Sequence, residues 1–155
     1  MHYGLDNDSR CKFCSIGYES SIHVFAKCLK LEIVWDFFDE VMGLMNINYT
    51  FARQRNLLHR FDIMNLPFCN GTDFQLLVYL NTIINHQIWK CRNECVHENA
   101  VFDYNSLISK IMRSVGARKN FQRRMMTEKP KVPRLDDLFV SMLTIRNITY
   151  SIDNG

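Results

Sequence analysis

Three of the chain's six cysteines and one of its five histidines fall within eighteen residues, in "CKFCSIGYESSIHVFAKC". The spacing is C-x2-C-x8-H-x4-C, on Cys11, Cys14, His23 and Cys28. Two cysteines separated by two residues can aim both sulfurs at one ion from a tight turn, and three thiolates with one imidazole complete the tetrahedral shell that zinc takes in structural sites. Lys12, Ser15, Gly17, Glu19, Ser20 and Ser21 make the segment polar and loop-like. That is an unusual setting for cysteines buried as small inert hydrophobes. A closed set of four protein ligands leaves no position for a reactive water, so the expected metal is structural zinc.

His23 and Cys28 are five residues apart, which puts them about 140° apart on an ideal α-helix. They cannot share one face of a regular helix. The spacing therefore predicts a short turn between them, with the next helix starting only at about Leu29.

Hydrophobic residues make up 47% of the 155 and charged residues 23%, with six glycines and three prolines, a profile able to bury a core. No run of eighteen apolar residues is present, and the first ten residues are polar rather than those of a secretory signal. An intracellular protein, nuclear or cytoplasmic and without a membrane, is expected. In that setting cysteines ligate metal or stay reduced rather than forming a disulfide scaffold.

The periodicity is helical. Leu31, Val34, Trp35, Phe38, Val41, Met42 and Met45 recur at steps of three and four over 29–45, with Glu32, Asp36, Asp39 and Glu40 between them. A short helix is predicted at 51–60, with Thr50 as N-cap, and "NLPFCNGTD" reads as a loop. A long helix follows from Thr72 or Asp73, with a stripe of Phe74, Leu77, Asn81, Ile84, Ile88, Cys91 and Cys95. Leu80, Ile83 and Trp89 widen the stripe, as in a helix packed on two sides. A further helix runs from Asn105 or Ser106 to Met126, and "EKPKVPR" breaks it. The tail from Leu135 to Tyr150 reads as a short helix followed by a strand. The expected fold is mainly α: a small zinc-binding module packed on about four helices. It divides into the module with its following helix (1–48), a helical region (49–126) and a partly packed tail (127–155).

Charge is uneven. Residues 1–100 hold nine Lys/Arg against eleven Asp/Glu, whereas residues 110–134 hold nine basic residues and one acid, Glu128. Such a concentration favours polyanions. Lys110, Arg113, Arg118, Lys119, Arg123 and Arg124 are the candidate contacts to RNA or DNA backbone, against the plainer reading of a solvated helix face.

Other residues have plainer roles. Cys91 and Cys95 share a helix face near His97, but lack a fourth ligand and are expected as buried thiols. His59 and His86 lie beside no candidate nucleophile. Trp35 and Trp89 sit on apolar stripes and are expected in the core rather than stacked on bases. No nucleophile, base and oxyanion donor converge in the sequence, so no enzyme is expected.

"CKFCSIGYESSIHVFAKCLKLEIVW" resembles the zinc-binding segment found downstream of the reverse transcriptase domain in non-LTR retrotransposon polyproteins. The family pattern of a C-x2-C pair, a His followed by two apolar residues, a Cys and a Trp-bearing helix falls on Cys11, Cys14, His23, Val24, Phe25, Cys28 and Trp35. "HQIWKCRNECVHE" resembles the family's Ile-Trp-Lys-x-Arg-Asn helix, on Ile88, Trp89, Lys90, Arg92 and Asn93. The likeness spans roughly residues 8–115. Lys12 and Leu29 replace prolines common in the family, and no polymerase-like Asp-Asp pair precedes Cys11; Asp136-Asp137 follows a proline-broken basic stretch. The resemblance implies a zinc-dependent, non-catalytic nucleic-acid-binding module, stand-alone or truncated, with a reverse transcriptase polyprotein as an implied partner. The competing class is a zinc-stapled helical module for protein–protein interaction.

Overall fold

A computed structural model describes residues 9–51, 71–125 and 131–153. Four main helices follow a metal-loop segment: α1 Glu32–Leu44, α2 Gly71–His97, α3 Tyr104–Arg124 and α4 Leu135–Asp153. The fold is mainly α, with the Cys/His segment at its N-terminal side. α1 packs on α4, α2 on α3 and α3 on α4, with α1 also meeting α3. The short helix expected at 51–60, His59 and most of the loop expected at 65–73 lie outside the described residues. Phe51 is described; its N–H donates to Asp39 Oδ1 at 2.5 Å.

α1 buries Val34, Trp35, Phe37, Phe38, Val41 and Met42, the stripe its periodicity predicts, and exposes Glu32, Asp36 and Glu40. It stops where Asn46 takes a left-handed φ of 55°. The Ile47 N–H returns to the Met42 carbonyl at 3.0 Å and the Asn46 N–H to Gly43 at 3.2 Å. This is a Schellman closure, in which asparagine tolerates the conformation other side chains resist.

α2 centres the core. Leu76, Leu77, Leu80, Ile84 and Ile88 are fully buried, and burying such a side chain contributes about 1.5 to 3 kcal/mol. α2 and α3 run antiparallel, tied by Gln87 Nε2 donating to Ser114 Oγ at 3.2 Å and by Lys110 Nζ to Glu94 Oε2 at 2.7 Å. Cys11, Phe13, Val24 and Cys28 of the metal loop belong to the same hydrophobic cluster as all four helices.

Three expectations change. α3 starts earlier than predicted: Asp103 is its N-cap, accepting from the Asn105 and Ser106 N–H groups at 3.2 and 3.3 Å. A carboxylate there also meets the helix dipole favourably. The tail is one continuous helix rather than a short helix and a strand. Leu135, Leu138, Met142 and Ile145 recur at helical spacing and are buried, on a helix that packs against α1 and α3. Trp89, expected in the core, is 53% exposed, while Trp35 is 2% exposed. α2 packs on α3, and Trp89 lies off the covered face.

Arg134 joins three helices. Its backbone is left-handed (φ 58°), and its guanidinium donates to Asp73 Oδ1 at 3.1 Å, to Asp137 Oδ2 at 3.4 Å and to the Met45 carbonyl at 2.8 Å. The start of α2 and the end of α1 are thereby held against the start of α4. Among the described residues, no helix is long and apolar enough to cross a membrane.

Candidate metal centre

The first two donors come from a loop closed on itself. Arg10 and Tyr18 pair as an isolated antiparallel bridge, and the Glu19 N–H donates to the Ser9 carbonyl at 2.7 Å. Inside the bridge, the Cys11 N–H donates to Gly17 and the Ser15 N–H to Cys11, both at 2.8 Å. Ser15 supplies the left-handed residue the tight return requires, with φ 58°. The Phe13 N–H lies 3.4 Å from Cys11 Sγ. Phe13 itself is buried, its ring 5.0 Å from that of Phe102, so the loop is anchored to the α2–α3 connection.

The other two donors come from an irregular helical turn. Ser20 Oγ accepts the His23 N–H at 3.1 Å and starts the turn. Residues His23–Lys27 then form one π turn, in which the Cys28 N–H donates to the His23 carbonyl at 2.7 Å. A turn closed from i to i+5 returns residue i+5 to the side of residue i, where an α-helix would separate them. A single 3-10 turn, Leu29–Leu31, leads into α1. The turn predicted between His23 and Cys28 is thus a π turn, and α1 starts at Glu32 rather than Leu29.

The four donor atoms lie within 4.8 Å of one another. Cys11 Sγ is 3.8 Å from Cys28 Sγ, and Cys14 Sγ is 3.4 Å from His23 Nε2. A tetrahedral ion with bonds of about 2.3 Å to sulfur and about 2.0 to 2.1 Å to nitrogen has edges of about 3.8 Å and about 3.5 Å. Those two distances match such edges, and the remaining ones stay within 4.8 Å. Cys11 and Cys28 are buried, Cys14 and His23 half-buried. This is a Cys3His group able to hold a metal ion, and it is the one such group among the described residues.

The thiols are electrostatically unequal. Burial works against ionisation of Cys14, but the backbone N–H groups of Gly17 and Ile16, then His23, outweigh it and lower the thiol to about 6. Burial pushes Cys28 up to about 12; the backbone at Lys30 opposes this and the neighbouring Cys11 adds to it. Sulfurs crowded at this distance repel as thiolates, and a divalent cation between them reverses the repulsion.

Two residues the sequence reading did not assign to the site shape it. Gly17 lies directly beneath the imidazole: a Cβ there would stand 2.4 Å from His23 Cε1 and 2.8 Å from Nδ1. No flexible side-chain end is available to yield, only the ligand ring. Gly17→Ala is therefore expected to displace His23 and weaken metal retention at least tenfold, measured by competition with a chromogenic chelator; retention equal to the parent's would contradict the close approach. Glu19, the one acid between Ser9 and Leu31, accepts the Lys12 N–H at 3.2 Å through Oε2. Its Oε1 accepts from Arg92 Nε at 3.1 Å and also from Nη2. Arg92, within the segment noted for its Ile-Trp-Lys-x-Arg-Asn pattern, thus clasps the metal loop to α2 and donates to Asn93 Oδ1 at 3.3 Å.

Cys91 and Cys95 sit one turn apart on α2, outside the four-donor group, and His97 is exposed. Burial raises both thiols, Cys91 to about 11.

The six cations singled out on α3 do not share one face. Lys110 is paired with Glu94 across the α2 flank. Arg118 donates to Gln122 Oε1 at 3.3 Å on its own helix. Lys119 and Arg123 turn to α4, where Asp136 stands 3.9 and 2.8 Å away, and Lys119 lies over the Phe139 ring. Arg113 and Arg124 point outward, exposed and with no acidic partner among the described residues.

Compared with protein-family models, curated proteins and solved structures, the chain matches none.

Proposed function

We propose that the protein is a zinc-stapled, non-catalytic helical module that binds the backbone of RNA or DNA, akin to the zinc-binding segment of non-LTR retrotransposon polyproteins. The observation that carries the metal part is the convergence of Cys11, Cys14, His23 and Cys28 within 4.8 Å of one another, with two of the distances at 3.8 and 3.4 Å. Borderline-soft zinc suits three thiolates and an imidazole, and four protein ligands close its shell to substrate. The metal then holds the loop in shape and has no part in chemistry.

The nucleic-acid part is supported by the basic excess of residues 110–134. Neighbouring acids offset part of it, which leaves Arg113 and Arg124 as the outward cations of α3. Phosphate contacts release counterions, so log affinity falls with log salt by about 0.7 per contact on single strands. A salt titration with a single-stranded RNA oligonucleotide tests this. Arg113→Glu combined with Arg124→Glu is expected to make the slope shallower by about 1.4, two contacts' worth, at unchanged melting temperature. Affinity with no salt dependence, or an unaltered slope in the double variant, would remove α3 from the interface.

One observation favours protein–protein interaction as the second reading. Ile16 and Tyr18 on the loop, and Leu29 and Ile33 where it enters α1, are exposed apolar residues on the metal segment. Absence of nucleic-acid binding at low salt would shift the assignment to that surface.

A further inference from the structure

The outward face of α2 carries an aromatic pair that the packing does not use. Trp89 is half exposed, and the His86 ring lies 6.2 Å from it at an interplanar angle of 26°. His86 and Trp89 are three residues apart, so both stand on one side of the helix. The core of a protein–protein interface is more apolar than the surface around it and depleted of charge, and a tryptophan there has such a surround. Trp89 does not: its neighbours one turn away are Asn85, His86, Arg92 and Asn93, all polar.

From Phe74 to Asn93 the helix contains no acidic residue. Lys90, one turn beyond His86, is exposed and forms no ion pair among the described residues. Arg92, one turn beyond Trp89, is committed to Glu19 of the metal loop, which fixes that end of the platform. Flat rings among hydrogen-bonding side chains, next to a cation that forms no ion pair among the described residues, suit a base with its phosphate. In such platforms rings stack with any base while cations follow the backbone.

We propose that Trp89, extended by His86, is a stacking subsite for an unpaired base of single-stranded nucleic acid, with Lys90 on the adjoining phosphate. The inference rests on the nucleic-acid reading above and narrows it: stacking on an exposed ring needs an unpaired base, so single strands are preferred over duplex. Sequence preference is weak, because every base offers a π face.

The chain has two tryptophans and the other is buried, so quenchable emission reports Trp89. Zinc-loaded protein is titrated with oligo(U), oligo(dT) and a DNA duplex of the same length. Saturating oligo(U) or oligo(dT) is expected to quench the exposed component, and the duplex to leave it nearly unchanged. Trp89→Ala should weaken single-strand binding about tenfold or more, with Trp89→Phe recovering most of the loss. The salt slope should stay as in the parent. Single-strand binding with parental affinity in Trp89→Ala and unquenched emission overturns the stacking site while leaving backbone binding standing. Equal losses on single strand and duplex overturn it as well. No binding of either nucleic acid at low salt overturns the parent reading and the subsite together.

Discussion

Cys14→Ser is expected to release zinc and unfold the metal loop. The parent should carry close to one zinc per chain by elemental analysis, and the variant almost none. Metal affinity at a site that exists only in the folded chain is folding free energy, and structural zinc supplies roughly 10 kcal/mol or more. Cys14 is the ligand to change because its thiol, lowered to about 6, enters the shell already largely ionised at neutral pH. The effect should reach beyond the loop: Cys11, Phe13, Val24 and Cys28 share the hydrophobic cluster of the helices, so residues 9–31 should become protease-sensitive and the bundle should melt earlier. A chelator should do the same to the parent. Cys91→Ser, outside the donor group, serves as the control and should keep its zinc. Metal-free parent protein whose loop resists protease would defeat the assignment.

The second large effect is at Trp35. Its side chain is buried in α1 with the ring 5.8 Å from that of Phe51 at 22°, and Phe38 and Tyr49 also surround Phe51. Trp35→Ala removes the largest side chain from this cluster and is expected to cost about 3 to 5 kcal/mol. For a chain of this size, 1 kcal/mol moves the melting temperature by about 2 to 4 °C, so a fall of at least 6 °C should be seen. Trp35→Phe should cost much less, because the indole Nε1 has no hydrogen-bond partner among the described residues to lose. A Trp35→Ala melt within a degree or two of the parent would place the residue outside the core.

The ligands were legible because a chelating set is written as local spacing, and so was α1, whose single-sided stripe has one solution. α2 was harder. Its stripe includes Asn81 and Gln87, both buried, and excludes Trp89, which is not. Periodicity shows which direction is apolar on average, but the edge of a wide stripe depends on which neighbours arrive, and those are distant in sequence. The same limit governs charge. A count over 110–134 registers nine cations, but Glu94 lies sixteen residues before Lys110 and Asp136 thirteen after Arg123. Gly17 and Glu19 carried no signal of their own. One matters for a ring that folds over it, the other for an arginine seventy-three residues away.

The π turn at His23–Lys27 sets how this segment can vary. It holds one residue more per hydrogen-bonded ring than an α turn, and that residue brings Cys28 back to His23. Length and winding of 24–27 are therefore constrained together, more than identity. Lys27 faces solvent and can be exchanged freely, while Val24 and Ala26 accept only apolar replacements of similar size. Rewinding the five-residue spacing as ordinary α-helix would carry the fourth sulfur about 140° away, whereas losing one of the four residues would suit an α turn instead, whose i and i+4 positions share a face. Within this segment the chain can drift in composition, and in length only together with its winding.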